Sequence, residues 1–361
     1  MSSLNYVDTN IEFLGECPRF IVDGEFNMAW LVSFTDQGLQ KQGILRLSKK
    51  GVEQTALDRM KRMSQLEIGP IIYKVFEIGN KTTPDEWSST CKAKTEKNTK
   101  KFTTHYKKKI AVLMEKFDND IRTLFRNIEK TDTNIDEVNN ITIGRYVIHS
   151  IDKLIQRTAH SGMILIDIKP RNAVVKMTSM KSKHVVQDVK LIDFDDDFCT
   201  EFNPRDPELV NVSRYVMCVL FEFHIKVSHP KMYAKLALAD FWTTNTVDFL
   251  TAYVDTPIES IIQLLTKLSF LDEDGFTVLN RVCKHYFTTD LLNIFETINS
   301  ETKERAHKRH MLQIQPLALH VTDTTPIVHQ RKLIIRRGKL RKPIKPIKPI
   351  IRKKTVLEKK I

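Results

Sequence analysis

The residues best suited to chemistry stand in two short stretches, Leu165 to Asn172 (LIDIKPRN) and Lys190 to Phe198 (KLIDFDDDF). Each runs from strand-like apolar residues into an aspartate, Asp167 in the first and Asp193 in the second. The first adds Lys169 two residues on and Asn172 five residues on. Phosphoryl transfer asks little covalent help of a protein and much positioning: a carboxylate to orient the attacking hydroxyl, a cation beside the moving phosphoryl, and amide and carboxylate oxygens for Mg²⁺. Asp167, Lys169, Asn172 and Asp193 meet those needs one for one. A turn of solvated polar residues would explain the first stretch alone; a second aspartate in a matching strand-end setting favours a joint role. Asp195 is either a further metal ligand or, with Asp196 and Asp197, part of a solvated turn.

These loops need a frame. Residues 20–47 alternate as FIVDGEF, MAWLVSF and GILRL between polar or glycine-containing breaks, which predicts a small antiparallel sheet. In its third strand the alternation puts Ile44 and Arg46 on one face. Ala56, Leu57, Met60, Met63 and Leu66 recur at helical spacing, so Glu53–Leu66 reads as a helix stopped by Gly69-Pro70, with the methionines as helix core. A strand follows at 71–78. Residues 80–108 are too polar for a core segment and read as a surface loop, and 110–114 resumes a buried strand. Beyond it the pattern turns helical: 121–126, 141–158, and apolar helical segments to about Phe295, with Tyr215–Phe223 a buried helix.

Asp167-Ile168-Lys169-Pro170-Arg171-Asn172 resembles the catalytic loop of protein kinases, and Asp193-Phe194-Asp195 resembles their metal-binding segment with its glycine replaced. His160–Ile164 resembles the helix end and strand that lead into that loop, and Ile110–Asp120 resembles the strand and hinge between kinase lobes. The resemblance spans roughly residues 14–295. It implies an α+β, two-lobed kinase-like fold: a small β-rich N-lobe over 1–115 with a polar insertion at about 80–108, a larger helical C-lobe over 116–330, and an extended basic tail over 331–361. It also implies an ATP-dependent Ser/Thr protein kinase acting on a protein substrate. Asp167 would orient the substrate hydroxyl, Lys169 would contact the moving phosphoryl, and Asn172 and Asp193 would hold Mg²⁺ or Mn²⁺. Met114 would stand behind adenine, with Glu115 to Phe117 presenting backbone groups to its edge. Gly24 is the one match to the glycine-rich phosphate loop, Val22 and Asn27 standing at the outer glycine positions. Arg46 replaces the usual strand lysine, keeping charge but not compactness, and Glu53, or Asp58, is its helix acid. Leu165 and Ile166 replace the usual His and Arg, and no Ala-Pro-Glu anchor follows, so no loop-phosphorylation switch is expected. Two rivals share the motifs: a pseudokinase scaffold, and a small-molecule kinase resembling the choline or aminoglycoside group. The short activation segment, degenerate glycine loop and basic tail also resemble kinases of large DNA viruses.

With 361 residues, 41% hydrophobic and 28% charged, the chain is neither wholly disordered nor low-complexity. Its formal charge of +13 sits in the tail: Arg331 to Ile361 holds 14 basic residues against Glu358, while residues 1–330 carry 43 of each sign. Such a tail suits nucleic acid or another acidic partner, or a nuclear address, unless it is simply solvated. Five scattered cysteines, odd in number and without a CxxC pair, argue against a disulfide framework and for a reducing, intracellular compartment, nucleus or virion included. No apolar run approaches the roughly 20 residues of a membrane span, and no basic start with an apolar stretch marks a secretory signal.

Overall fold

The computed structural model describes residues 11–23, 27–49, 51–79, 81–92, 101–131, 137–180, 183–194, 199–268 and 277–318. Two compact units divide the chain, Met1–Leu312 and Gln313–Ile361. The front of the first unit is built from β1 (Ile11–Phe13), β2 (Arg19–Asp23), β3 (Asn27–Asp36), β4 (Leu39–Ser48), α1 (Gln54–Gln65), β5 (Ile72–Glu77), the short helices α2 (Asp85–Ser89) and α3 (Phe102–His105), and β6 (Ile110–Glu115). Its strands form one antiparallel sheet in the order β1-β3-β4-β6-β5, with β2 also on β3. Gln37 and Gly38, both left-handed (φ 51° and 79°), close the β3–β4 hairpin in two residues, a turn whose twist matches that of the strands it joins.

Alternation along β4 decides what each sheet face does. Leu45 and Leu47 are buried in an aromatic cluster with Trp30, Phe34, Phe76, Trp87, Phe102 and Tyr106. Residues 80–108 therefore do not form only a surface loop. Their mean polarity conceals Trp87, Cys91, Phe102 and Tyr106, each 2% exposed or less, and these cover the outer sheet face. Cys91 also forms a disulfide with Cys17 across 74 residues. The odd cysteine count misleads because Cys199, Cys218 and Cys283 are buried free thiols, and with the bond in place the inference of a reducing compartment loses its support.

Further along come β7 (Asn119–Asp120), α4 (Ile121–Thr131), α5 (Glu137–His160), β8 (Met163–Leu165), β9 (Ala173–Met180), β10 (Lys183–Leu191), β11 (Cys199–Glu201), and then α6 (Pro207–Ser228), α7 (Pro230–Leu238), α8 (Thr244–Val254), α9 (Ile258–Lys267), α10 (Thr277–Phe287) and α11 (Leu291–Ala318), whose residues to Leu312 belong to the first unit. The molecule is thus a mixed fold, a β-sheet region followed by a helical one, as the pattern predicted. The expected buried helix at 215–223 is the middle of α6, which starts where Asp206 caps the backbone N–H groups of Glu208 and Leu209 and Pro207 occupies the first turn. A single apolar cluster runs from Leu57, Met60 and Met63 of α1 through Val75 and Val112 into α5 and α6. No helix among the described residues is long and apolar enough to cross a membrane. The basic tail at 331–361 lies outside the described residues.

Candidate active site

The 165–172 loop is positioned by its neighbours. After α5, Gly162 turns the chain at φ 78°, and a methyl group there would collide with the carbonyl oxygen of Phe202, so glycine is required. β8 pairs with β11, Leu165 opposite Cys199, which brings the segment after Asp193 back beside the strand before Asp167. β9 begins directly after Asn172 and β10 stops directly before Ile192, with Ala173 opposite Leu191. The Ile192 N–H donates to the Asn172 carbonyl at 2.9 Å. Asn172 and Asp193 therefore flank the same end of one hairpin.

Asp167 is the hub. Its two carboxylate oxygens accept from Lys169 Nζ at 2.7 and 2.6 Å, and Oδ2 also accepts from Asn172 Nδ2 at 2.9 Å. The same Asn172 nitrogen reaches the Asp167 carbonyl at 3.0 Å. Burial pushes the Asp167 carboxyl above its ordinary range; the Lys169 ammonium, then the hydrogen bonds from Lys169 and Asn172, pull it back. The third Lys169 donor goes to Tyr286 Oη on α10 at 2.7 Å, with the ring centroid 4.1 Å from Nζ. An ammonium has three N–H groups, and all three are engaged. Behind Tyr286, His224 is buried against Phe287 with ring centroids 4.2 Å apart, and burial, then the Lys169 charge, lowers its pKa to about 3.

Asp193 stands at φ 73°, a left-handed conformation that non-glycine residues seldom adopt and that aspartate tolerates better than most. Its Oδ1 lies 3.5 Å from Arg46 Nη2, and Arg46 Nη1 lies 2.8 Å from Met60 Sδ. Phe194 is buried against Gly69, where a methyl group would approach its ring to 3.1 Å. From α1, the buried Arg59 donates to the carbonyls of Phe194 (3.5 Å) and Cys199 (3.2 Å), and Arg62 pairs with Glu201 at 3.2 Å while bonding the Ser161 carbonyl. Two arginines of one helix thus fasten both ends of the segment that follows Asp193.

The other residues singled out from the sequence are spread more widely. Met114 lies in β6 opposite Ile44 and Ile72, half-buried against the core. The Glu115 N–H donates to the Ile71 carbonyl at 2.8 Å, and the Glu115 carboxylate meets Lys176 at 3.0 Å. Phe117 is half-buried in the linker to β7. That linker is stitched to β9: the Asp118 N–H donates to the Val175 carbonyl (3.0 Å), and its carboxylate accepts the Met177 N–H (2.7 Å). Glu53 is exposed at the start of α1 and does not cap it; from α1 it is Met60 that meets the Arg46 guanidinium. Gly24, Asp195, Asp196 and Asp197 lie outside the described residues. The structure therefore gathers Asp167, Lys169 and Asn172 into one cluster, sets Arg46 on Asp193, and joins the two through the Asn172–Ile192 backbone contact. Sequence reasoning missed Tyr286, which no local spacing marks, and Arg59, whose place inside the apolar stripe of α1 was a readable signal.

Among the described residues no three His, Cys, Asp or Glu side chains form a metal-binding group. Asn172 and Asp193 supply one amide and one carboxylate, a sparse oxygen set that suits an ion also held by phosphates and water. No protein-family model matches the chain, and no curated protein matches it. Among solved structures it is similar to WaaP in complex with acyl carrier protein, at 10% identity over 70% of this chain and 86% of that one, with a TM-score of 0.33. A likeness that loose carries no argument here.

Proposed function

We propose that this protein transfers the γ-phosphoryl group of ATP to a hydroxyl, that of serine or threonine in a protein acceptor, on a two-lobed kinase-like frame. The observation that carries the reading is the closed set of contacts around Asp167, with Lys169 on both its oxygens and Asn172 on one, next to a hairpin end that presents Asp193. Asp167 orients the attacking hydroxyl and accepts its proton as the new oxygen–phosphorus bond forms and the bond from the γ-phosphorus to the bridging oxygen breaks, releasing ADP. Lys169, on giving up Tyr286, donates to the oxygens of the transferred group. Arg46, beside Asp193, faces the phosphates of the nucleotide. Asn172 and Asp193 would hold Mg²⁺, which when bound neutralises phosphate charge.

Labelled ATP with Mg²⁺ and generic acidic and basic protein acceptors tests the reading. Transfer is expected for the wild-type chain, with a loss of at least 10²-fold in Asp167→Ala in a chain that still folds. Equal turnover in the variant would refute the assignment. A second reading, a nucleotide-binding scaffold without turnover, is favoured by one observation, the thioether of Met60 against Arg46 where the resemblance expects an acid. The same assay separates the two.

A further inference from the structure

One face of α4 carries Arg122, Arg126 and Lys130 at four-residue steps. Like charges so spaced repel and weaken a helix. α4 packs against the Pro170–Asn172 turn, which adds Arg171 between Lys169 and Asn172, and Lys231 of α7 lines the same surface cavity as Arg126 and Lys130, about 390 Å³ in volume. Among the described residues none of these five cations has a hydrogen-bond or ion-pair partner. Two acids lie nearby, Glu129 on the wall of that cavity and Asp120 close enough to act on Arg122, and the hydrogen bonds of both go to other groups. Asp120 caps α4 through the Thr123 N–H (2.7 Å) and hydroxyl (3.1 Å), and Glu129 accepts the Met232 N–H (3.1 Å) and faces His229 at 3.5 Å. Arg122 feels the cost: burial, then the charges of Arg126 and Arg171, disfavours its cationic form, and the weaker attraction of Asp120 only partly offsets them.

We propose that this stripe is the acceptor-recognition surface of the site and takes an acidic peptide segment adjoining the hydroxyl to be phosphorylated. The inference rests on the phosphoryl-transfer reading. Arg171 belongs to the same short loop as Asp167 and Lys169, so a peptide held by the stripe is held beside the reacting hydroxyl. From Arg122 to Lys130 the helix rises about 12 Å, which an extended peptide spans in about four residues. Phe125, the aromatic residue of α4, is buried, so the stripe offers no ring for base stacking, and an acidic peptide fits it better than single-stranded nucleic acid.

The test uses the full chain and a fluorescein-labelled peptide of one serine followed by four glutamates, read by anisotropy and as a phosphoryl acceptor. Arg122→Gln/Arg126→Gln/Arg171→Gln is compared with Lys267→Gln/Lys303→Gln/Lys308→Gln, which removes the same charge elsewhere. The arginine variant is expected to bind the peptide at least tenfold more weakly and to show a parallel rise in KM for it, with the KM for ATP unchanged. Its melting temperature should hold or rise, because repulsion is relieved. The lysine variant should bind within twofold of wild type. Peptide affinity within twofold of wild type in the arginine variant would overturn the proposal, as would a loss confined to a single-stranded oligonucleotide probe. If peptide binding falls tenfold while no chain shows Asp167-dependent transfer, the acidic-peptide surface stands and the phosphoryl-transfer reading falls.

Discussion

On the phosphoryl-transfer reading Lys169 must free an N–H group, because Asp167 and Tyr286 hold all three. Asp167 is 6% exposed and would be left as a buried charge if the pair opened, whereas Tyr286 is 38% exposed and its hydroxyl can turn to water. On that reading the tyrosine is the partner expected to yield. Tyr286→Phe keeps the ring but removes the competing acceptor, so kcat/KM for phosphoryl transfer should rise by about 1 kcal/mol, roughly fivefold; steady-state kinetics showing a fall would contradict this. The raised Asp167 carboxyl sets a second expectation. Its base form is lost as pH drops through a pKa above the ordinary aspartate range, so the acid limb of the pH–rate profile should lie above that range. In Lys169→Met the limb should move higher still, since the cation that opposes burial is gone. Asp167, Lys169 and Asn172 were legible in the sequence because six consecutive residues of one loop fix their relations. Tyr286 was not, because its contact spans 117 residues and depends on how α10 packs.

At the scale of elements, the sheet, α1 and the hairpin ends were legible from alternation and helical spacing, which report the face an element buries. The 80–108 segment was misread because composition averages over a window, while four well-placed apolar residues are enough to seat a segment on a sheet. Its disulfide joins the strand-poor stretch before β2 to the turn after α2, across a closed loop of 74 residues. By the chain-entropy argument such a crosslink stabilises the fold by about 4 kcal/mol. Chemical denaturation with and without reductant, or of Cys17→Ser/Cys91→Ser, should show a loss of that order, and identical midpoints would contradict the bond's structural role. Arg59 went unread for the opposite reason to the insertion. A charged residue suggests solvent, yet this one is buried where backbone carbonyls of Phe194 and Cys199 need a donor.

Within the first unit, one apolar cluster links α1 and the β5–β6 pair to α5 and α6, and β4 pairs with β6, so the strand that carries Arg46 and the hairpin end that carries Asp193 belong to one packed body. This joining of distant parts was not readable from local pattern, since it depends on which faces meet. What could be read was the order of the parts, a sheet region and then a helical one with an aspartate at each of two strand ends. The central claim is that Asn172 and Asp193 together give a divalent ion and a triphosphate their place beside Asp167. Calorimetric titration of ATP with and without Mg²⁺ tests it most directly. Mg²⁺ should tighten binding to the wild-type chain by about tenfold or more, roughly 1.4 kcal/mol, and that gain should vanish in Asp193→Ala and shrink in Asn172→Ala while metal-free binding persists. The same Mg²⁺ dependence in all three chains would contradict the account.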